Sequence, residues 1–142
     1  MSTAKKRIGV IGVGFGAQVY VPGLQSEGWE VVALCSRSRD KAAAVAQAAG
    51  IKDVHTDAHE LIRRNDLDAV AITTPPGAHC ELAIAALKAG RHALCEKPFA
   101  IDVRQATMMR DAAEASGRTA MICHEFRHTP QRAYIRQLLG EG

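Results

Sequence analysis

Long apolar runs are missing from this 142-residue chain, and none approaches the ~18 residues of a membrane-spanning helix. The start, "MSTAKKRIGVIGVGFG", is basic but lacks a signal-peptide apolar core and cleavage site, and glycines interrupt its apolar residues. A large excess of charge of one sign is also missing. The net charge is +3 with scattered basic residues, which argues against nucleic acid or an anionic membrane surface as partner. Aromatics are few, with one Trp, two Tyr and three Phe, so a close-packed aliphatic core is expected.

Close cysteine pairs are lacking too. Cys35, Cys80, Cys95 and Cys123 form no C-x-x-C, which excludes a zinc ribbon or a thioredoxin-type motif. They read as core or near-core thiols of a cytoplasmic protein. No G-x-S-x-G elbow is present, so a Ser/His/Asp hydrolase finds no support. His55 and His59 are four residues apart but have no evident third ligand, and no metal site is expected.

What is there is a repeating unit: a short apolar run, a turn, a helical stretch, then glycine. Strands are expected at 7–12, 30–35, 52–55, 68–73, 92–95 and 119–124. Helices are expected at about 16–27, with Pro22 as a kink, and at 39–50, 57–65, 77–90, 102–117 and 129–140. Gly50, Gly90, Gly117 and Gly140 mark helix ends. Asp57 with Glu60 and Asp102 with Gln105 have capping-box spacing. Met108-Met109 and the stripe Tyr134, Ile135, Leu138 and Leu139 are assigned to the core. Strands that are apolar throughout and alternate with helices specify a parallel sheet covered on both faces. The expected fold is therefore α/β: a doubly wound, six-stranded parallel sheet of the Rossmann type, one domain over 1–142.

"GVGFGAQ" opens the first helix directly after the first strand. Gly12-Val13-Gly14-Phe15-Gly16 contains Gly12-x-Gly14-x-x-Ala17. Gly12 permits the tight turn, Gly14 lets the backbone approach a pyrophosphate, and Ala17 allows close helix–strand packing. The helix N-terminus then offers free N–H groups to phosphate. The end of the second strand bears on the choice of dinucleotide. An acid there binds the ribose 2′-OH of NAD, but the chain has Ser36-Arg37-Ser38-Arg39 and no acid until Asp40. Ser36 and Arg37, with Arg39 in reserve, suit a 2′-phosphate. NADP is preferred and NAD stays open; the alternative for the arginines is a solvated helix start.

"TTPPGAH" ends the fourth strand on the crevice side. Pro75 and Pro76 can pack on a flat ring, and Thr73 or Thr74 can hydrogen-bond ribose. His79 is either a helix-start residue satisfied by backbone or a cofactor contact. "CEKP" ends the fifth strand on the same side. A Lys97 ammonium can hydrogen-bond a substrate oxygen and exchange a proton. Glu96 can hold that ammonium or reach the nicotinamide ribose, and Pro98 restricts Lys97. The alternative is a plain surface ion pair. His124, Glu125 and His128 with Arg127 read as crevice lining.

The stretches "GVGFGAQVYVPGL", "LCSRSRDKA", "ITTPPGAHCELAIAALKAGRHALCEKPFA" and "HEFRHTP" together resemble the N-terminal domain of the glucose–fructose oxidoreductase / inositol dehydrogenase / rhizopine-catabolism (Gfo/Idh/MocA) family. That resemblance spans essentially the whole chain. It implies an NAD(P)-dependent oxidoreductase acting on sugars, cyclitols or related small molecules. Lys97 then matches the lysine that moves a proton at the substrate carbinol or carbonyl. Glu96 matches a residue touching the cofactor ribose, Arg127 one near the nicotinamide pocket, and Lys97–Pro98 is a candidate cis peptide. Family members are usually more than twice as long, with a second α/β substrate domain. The expectation is accordingly a cofactor domain whose exposed apolar face meets a second domain, a second copy or another partner. The competing function is a non-enzymatic NAD(P)-binding module, a redox sensor or regulator.

Overall fold

The computed structural model describes residues 5–140; the first four residues of the basic start and the last two of the chain lie outside them. Six strands form one parallel sheet: β1 (Arg7–Ile11), β2 (Glu30–Cys35), β3 (Asp53–His55), β4 (Ala69–Ile72), β5 (His92–Glu96) and β6 (Ala120–Cys123). Their order is β3-β2-β1-β4-β5-β6, with every neighbouring pair parallel. The helices are α1 (Val21–Ser26), α2 (Arg39–Ala49), α3 (Ala58–Ile62), α4 (His79–Lys88), α5 (Val103–Ser116) and α6 (Pro130–Gly140). This is the doubly wound arrangement expected from the alternating pattern.

Strand alternation divides the core into two layers. Ile8 and Val10 of β1, with Ala69 and Ala71 of β4, face Tyr20, Val21 and Ala46. Ile11, Val70 and Ile72 face the other way, onto Leu61, Leu82, Ala86, Leu87 and Met109. Leu34, Ile72 and Leu87 are essentially inaccessible, and each contributes about 1.5–3 kcal/mol of apolar burial. Helix ends follow the expected chemistry. Ser38 accepts from the Lys41 N–H and Asp102 from the Gln105 N–H. Gly50 and Gly117 take the left-handed conformation at their C-termini.

Four expectations need correction. The first helix is not one α-helix. Gly16–Tyr20 winds as a π-helix before α1, and Pro22, which has no N–H to give, sits at the join. α3 stops at Ile62, short of the expected 65; Asp57 caps it through the His59 N–H, while Glu60 lies 3.7 Å from His55 Nδ1. Met109 is buried but Met108 is exposed. The stripe on α6 is not core: Tyr134, Ile135, Leu138 and Leu139 are 47–79% exposed. Its amphipathic spacing was read correctly as a helix face, but spacing does not say whether a face is covered. Ile101, Val103, Met121 and Phe126 are exposed as well.

The amino ends of the strands are tied by charge. Arg64 reaches Asp53 at 2.6 Å and Asp66 at 2.8 Å, and Arg7 reaches Asp66 at 2.9 Å. The Arg64 hydrogen bonds hold the Asp66 carboxyl below its usual range. A carboxyl so lowered stabilises the fold above its unfolded pKa of about 3.9. That contribution disappears as pH falls through the folded value. Urea midpoints measured from neutral to strongly acid pH are expected to fall below about pH 4 in the native sequence. Arg64→Ala is expected to start lower at neutral pH and to fall less; an identical acid limb in the variant would refute the assignment.

Candidate functional site

The strand order reverses between β1 and β4, and ligands of such sheets bind outside the carboxyl ends of the strands at that point. A crevice of about 1210 Å³ opens there. Gly12, Val13, Gly14, Ser36, Arg37, Thr73, Thr74 and Pro75 all line it. Eight residues singled out from three separate segments therefore converge on one cavity.

The glycine turn is held by backbone and by Thr73. The Gly12 N–H donates to Cys35 O at 2.9 Å, and the Thr73 N–H to Ile11 O at 2.8 Å. The Thr73 hydroxyl sits 3.0 Å from both Ile11 O and Gly12 O. Its proton is thus committed to the turn. Thr74 Oγ1, by contrast, is buried without a partner among the described residues, which makes Thr74 the better hydroxyl for a ligand. Gly12 has φ +108°, and no atom lies within 4 Å of a Cβ placed on Gly14. Close helix–strand packing falls to Gly16 rather than Ala17. Gly16 is buried, and a Cβ there would run into Thr73 Oγ1 and Val10. The open cradle at Gly14 and the unpartnered Thr74 hydroxyl fit a dinucleotide.

At the far end, Ser36 Oγ accepts from the Ser38 N–H at 3.2 Å and keeps its own proton to donate. Arg37 is exposed on the crevice wall, whereas Arg39 begins α2 and is not among the lining residues. Lys41 lines the cavity and was missed. A cation in the first turn of a helix opposes the macrodipole, and that misplacement was the available signal. Asp57 lines the wall too, with one oxygen already capping α3.

Phe15, Gly16, His79, Glu96, Lys97 and Arg127 are outside the crevice lining. His79 is fully buried. Its Nε2 lies 2.8 Å from Thr74 O and its Nδ1 2.9 Å from Pro98 O, so the backbone-satisfied alternative is the one observed. Glu96 is 7% exposed. Its Oε1 accepts from the Tyr20 hydroxyl at 2.7 Å and its Oε2 from the Lys97 N–H at 3.0 Å. It does not hold the Lys97 ammonium; Glu125 does, at 3.4 Å. The Glu125 carboxyl is lowered chiefly by its own backbone N–H and then by Lys97. Tyr20, also missed, has its phenol pushed up first by burial and then by Cys123 and Glu96. The Lys97–Pro98 bond is cis. Arg127 is exposed on a 3₁₀ turn, Glu125–His128, after β6.

Burial pushes Cys35 up to about 11 and Cys95 to about 12, so neither is a thiolate near neutral pH. His59 lines the crevice, with its Nε2 3.0 Å from Glu81, and His55 Nδ1 lies 3.7 Å from Glu60.

Residues 6–124 match the family described as "Oxidoreductase family, NAD-binding Rossmann fold". The chain belongs to this family. It is 34% identical over 137 residues to 4-carboxy-2-hydroxymuconate-6-semialdehyde dehydrogenase of Sphingobium sp., covering 96% of this chain and 44% of that protein. It is 36% identical over 137 residues to 1,5-anhydro-D-fructose reductase of Ensifer adhaerens, covering 96% and 41%. Among solved structures, a 3-ketoreductase from Actinomadura kijaniata in complex with TDP-benzene and NADP superposes with a TM-score of 0.89 at 33% identity, covering 98% of this chain and 44% of that one. The chain thus spans less than half the length of these relatives.

Proposed function

We propose that this chain is the nucleotide-binding part of an oxidoreductase that prefers NADP(H) and acts on a secondary alcohol or carbonyl of a sugar-like or cyclitol-like substrate. The observation that carries the reading is the crevice wall, where Ser36, Arg37 and Lys41 converge beyond the open glycine turn. Two cations and a hydroxyl donor suit a 2′-phosphate. Gly12, Gly14 and Thr74 suit the pyrophosphate and ribose. The cofactor, when bound, supplies hydride exchange at its nicotinamide ring.

Lys97 serves the other half of the chemistry. It is exposed at the carboxyl end of β5, and its ammonium can donate to a substrate oxygen while a hydride moves at the adjacent carbon. The named relatives are a dehydrogenase and a reductase, in keeping with this reading. The four free thiols suit a reducing compartment such as the cytoplasm.

Calorimetry with NADPH and NADH side by side tests the cofactor choice. NADPH is expected to bind more tightly, and Arg37→Ala to weaken NADPH about 10–100-fold, the loss of a charge-assisted hydrogen bond worth roughly 1.5–3 kcal/mol. NADH affinity should change little. Equal affinities for the two dinucleotides in the native sequence would overturn the preference.

A further inference from the structure

Cofactor recognition does not explain why a fully buried imidazole touches two loops at once. His79 stands at the start of α4. Through Nε2 it meets the Thr74 carbonyl, in the loop after β4, and through Nδ1 the Pro98 carbonyl, in the turn after β5. Both partners are acceptors. The ring offers an N–H to each when both nitrogens carry protons, and to one at a time when neutral. On the opposite flank of Lys97, Tyr20 holds Glu96, and Glu96 holds the Lys97 N–H. Lys97 is therefore an exposed side chain on a turn anchored from both sides.

The two loops joined by the ring differ in what they present. The loop after β4 brings Thr74 and Pro75 to the crevice wall. The turn after β5 carries Lys97 to the solvent side of the same sheet edge. We propose that His79 is a positioning residue that couples these loops, so that ordering of Thr74–Pro75 by a bound dinucleotide orders the Lys97 turn. The coupling to ligand rests on the reading of the crevice as an NADP site; the bridge itself does not.

Native-state hydrogen exchange of the full chain under rising denaturant reads the bridge directly. The Ala78 N–H, bonded to Pro75 O, reports the first loop, and the Lys97 N–H reports the second. In the native sequence the two amides are expected to open as one unit. His79→Phe, which keeps a ring of similar size, is expected to separate them and to speed Lys97 exchange at least tenfold. Two single-donor variants refine the comparison. His79→Gln places a donor near the Nε2 position and should protect Ala78 alone; His79→Asn places one near Nδ1 and should protect Lys97 alone. These variants also carry the test where His79→Phe does not fold. Adding NADPH should slow Lys97 exchange in the native sequence and leave it within about twofold in the variants, although they still bind. Two amides that open together without the ring donors overturn the proposal, as does loss of protection spread evenly over the sheet. Absence of NADPH binding by the native sequence removes the cofactor reading and the ligand arm with it, while the denaturant arm decides the bridge.

Discussion

Lys97→Ala is expected to lower turnover of the catalytically competent protein about 10²–10⁴-fold, the range lost with a general acid–base group, and to leave NADPH affinity within about twofold. The separation of effects follows from the geometry. Lys97 is exposed and lies outside the crevice lining, so little nucleotide contact goes with it. Its backbone N–H, which bonds Glu96 Oε2, survives in alanine and keeps the turn in place. What disappears is the ammonium paired with Glu125 at 3.4 Å, an exposed pair of small worth to stability. Lys97→Arg keeps a cation but holds its proton over the whole accessible pH range. It should rescue little of the turnover, because the proposed role requires the group to give and take a proton. Kinetics with parallel NADPH titrations check both halves; unchanged turnover in Lys97→Ala would show that proton transfer runs through another group.

The sheet was legible because its strands are apolar throughout and its helices carry explicit stops. Gly50 and Gly117 end α2 and α5 where expected. The crevice was legible because the glycine turn, "SR" and "TTPP" each follow a strand, and a doubly wound sheet brings those ends together. Three things were not. Which glycine packs closely depends on Thr73 Oγ1 lying over Gly16, a contact between segments far apart in sequence. Of the two roles open to Glu96, holding the Lys97 ammonium fails for the same reason: the two are adjacent in sequence, yet strand alternation turns Glu96 inward to Tyr20 and leaves Lys97 to Glu125. The apolar stripe of α6 shows the limit of periodicity. An amphipathic pattern announces a face that favours burial, and the same pattern serves a core contact and an interaction surface.

The glycine turn yields the other large effect. Gly12→Ala is expected to destabilise the chain by on the order of 3–5 kcal/mol, combining backbone strain of about 1–3 kcal/mol with overpacking of similar size. Its φ of +108° is one that side chains rarely adopt, and a Cβ there would sit 2.6 Å from Thr73 O and 2.8 Å from Thr73 C. Those are backbone atoms of a residue already bonded to Ile11, so neither can give way without opening the β1–β4 junction. A loss of this size is a large share of the roughly 5–15 kcal/mol that holds a domain together. Gly14→Ala separates folding from ligand binding. With no atom within 4 Å of the added carbon, stability should stay within about 0.5 kcal/mol. The methyl group would nevertheless stand where the pyrophosphate is proposed to approach the backbone, and NADPH affinity should fall at least about tenfold, or roughly 1.4 kcal/mol. Urea midpoints and NADPH titrations on the two variants distinguish the roles. A Gly14→Ala protein that binds NADPH as tightly as the native sequence would mean that the phosphates pass elsewhere than over this turn.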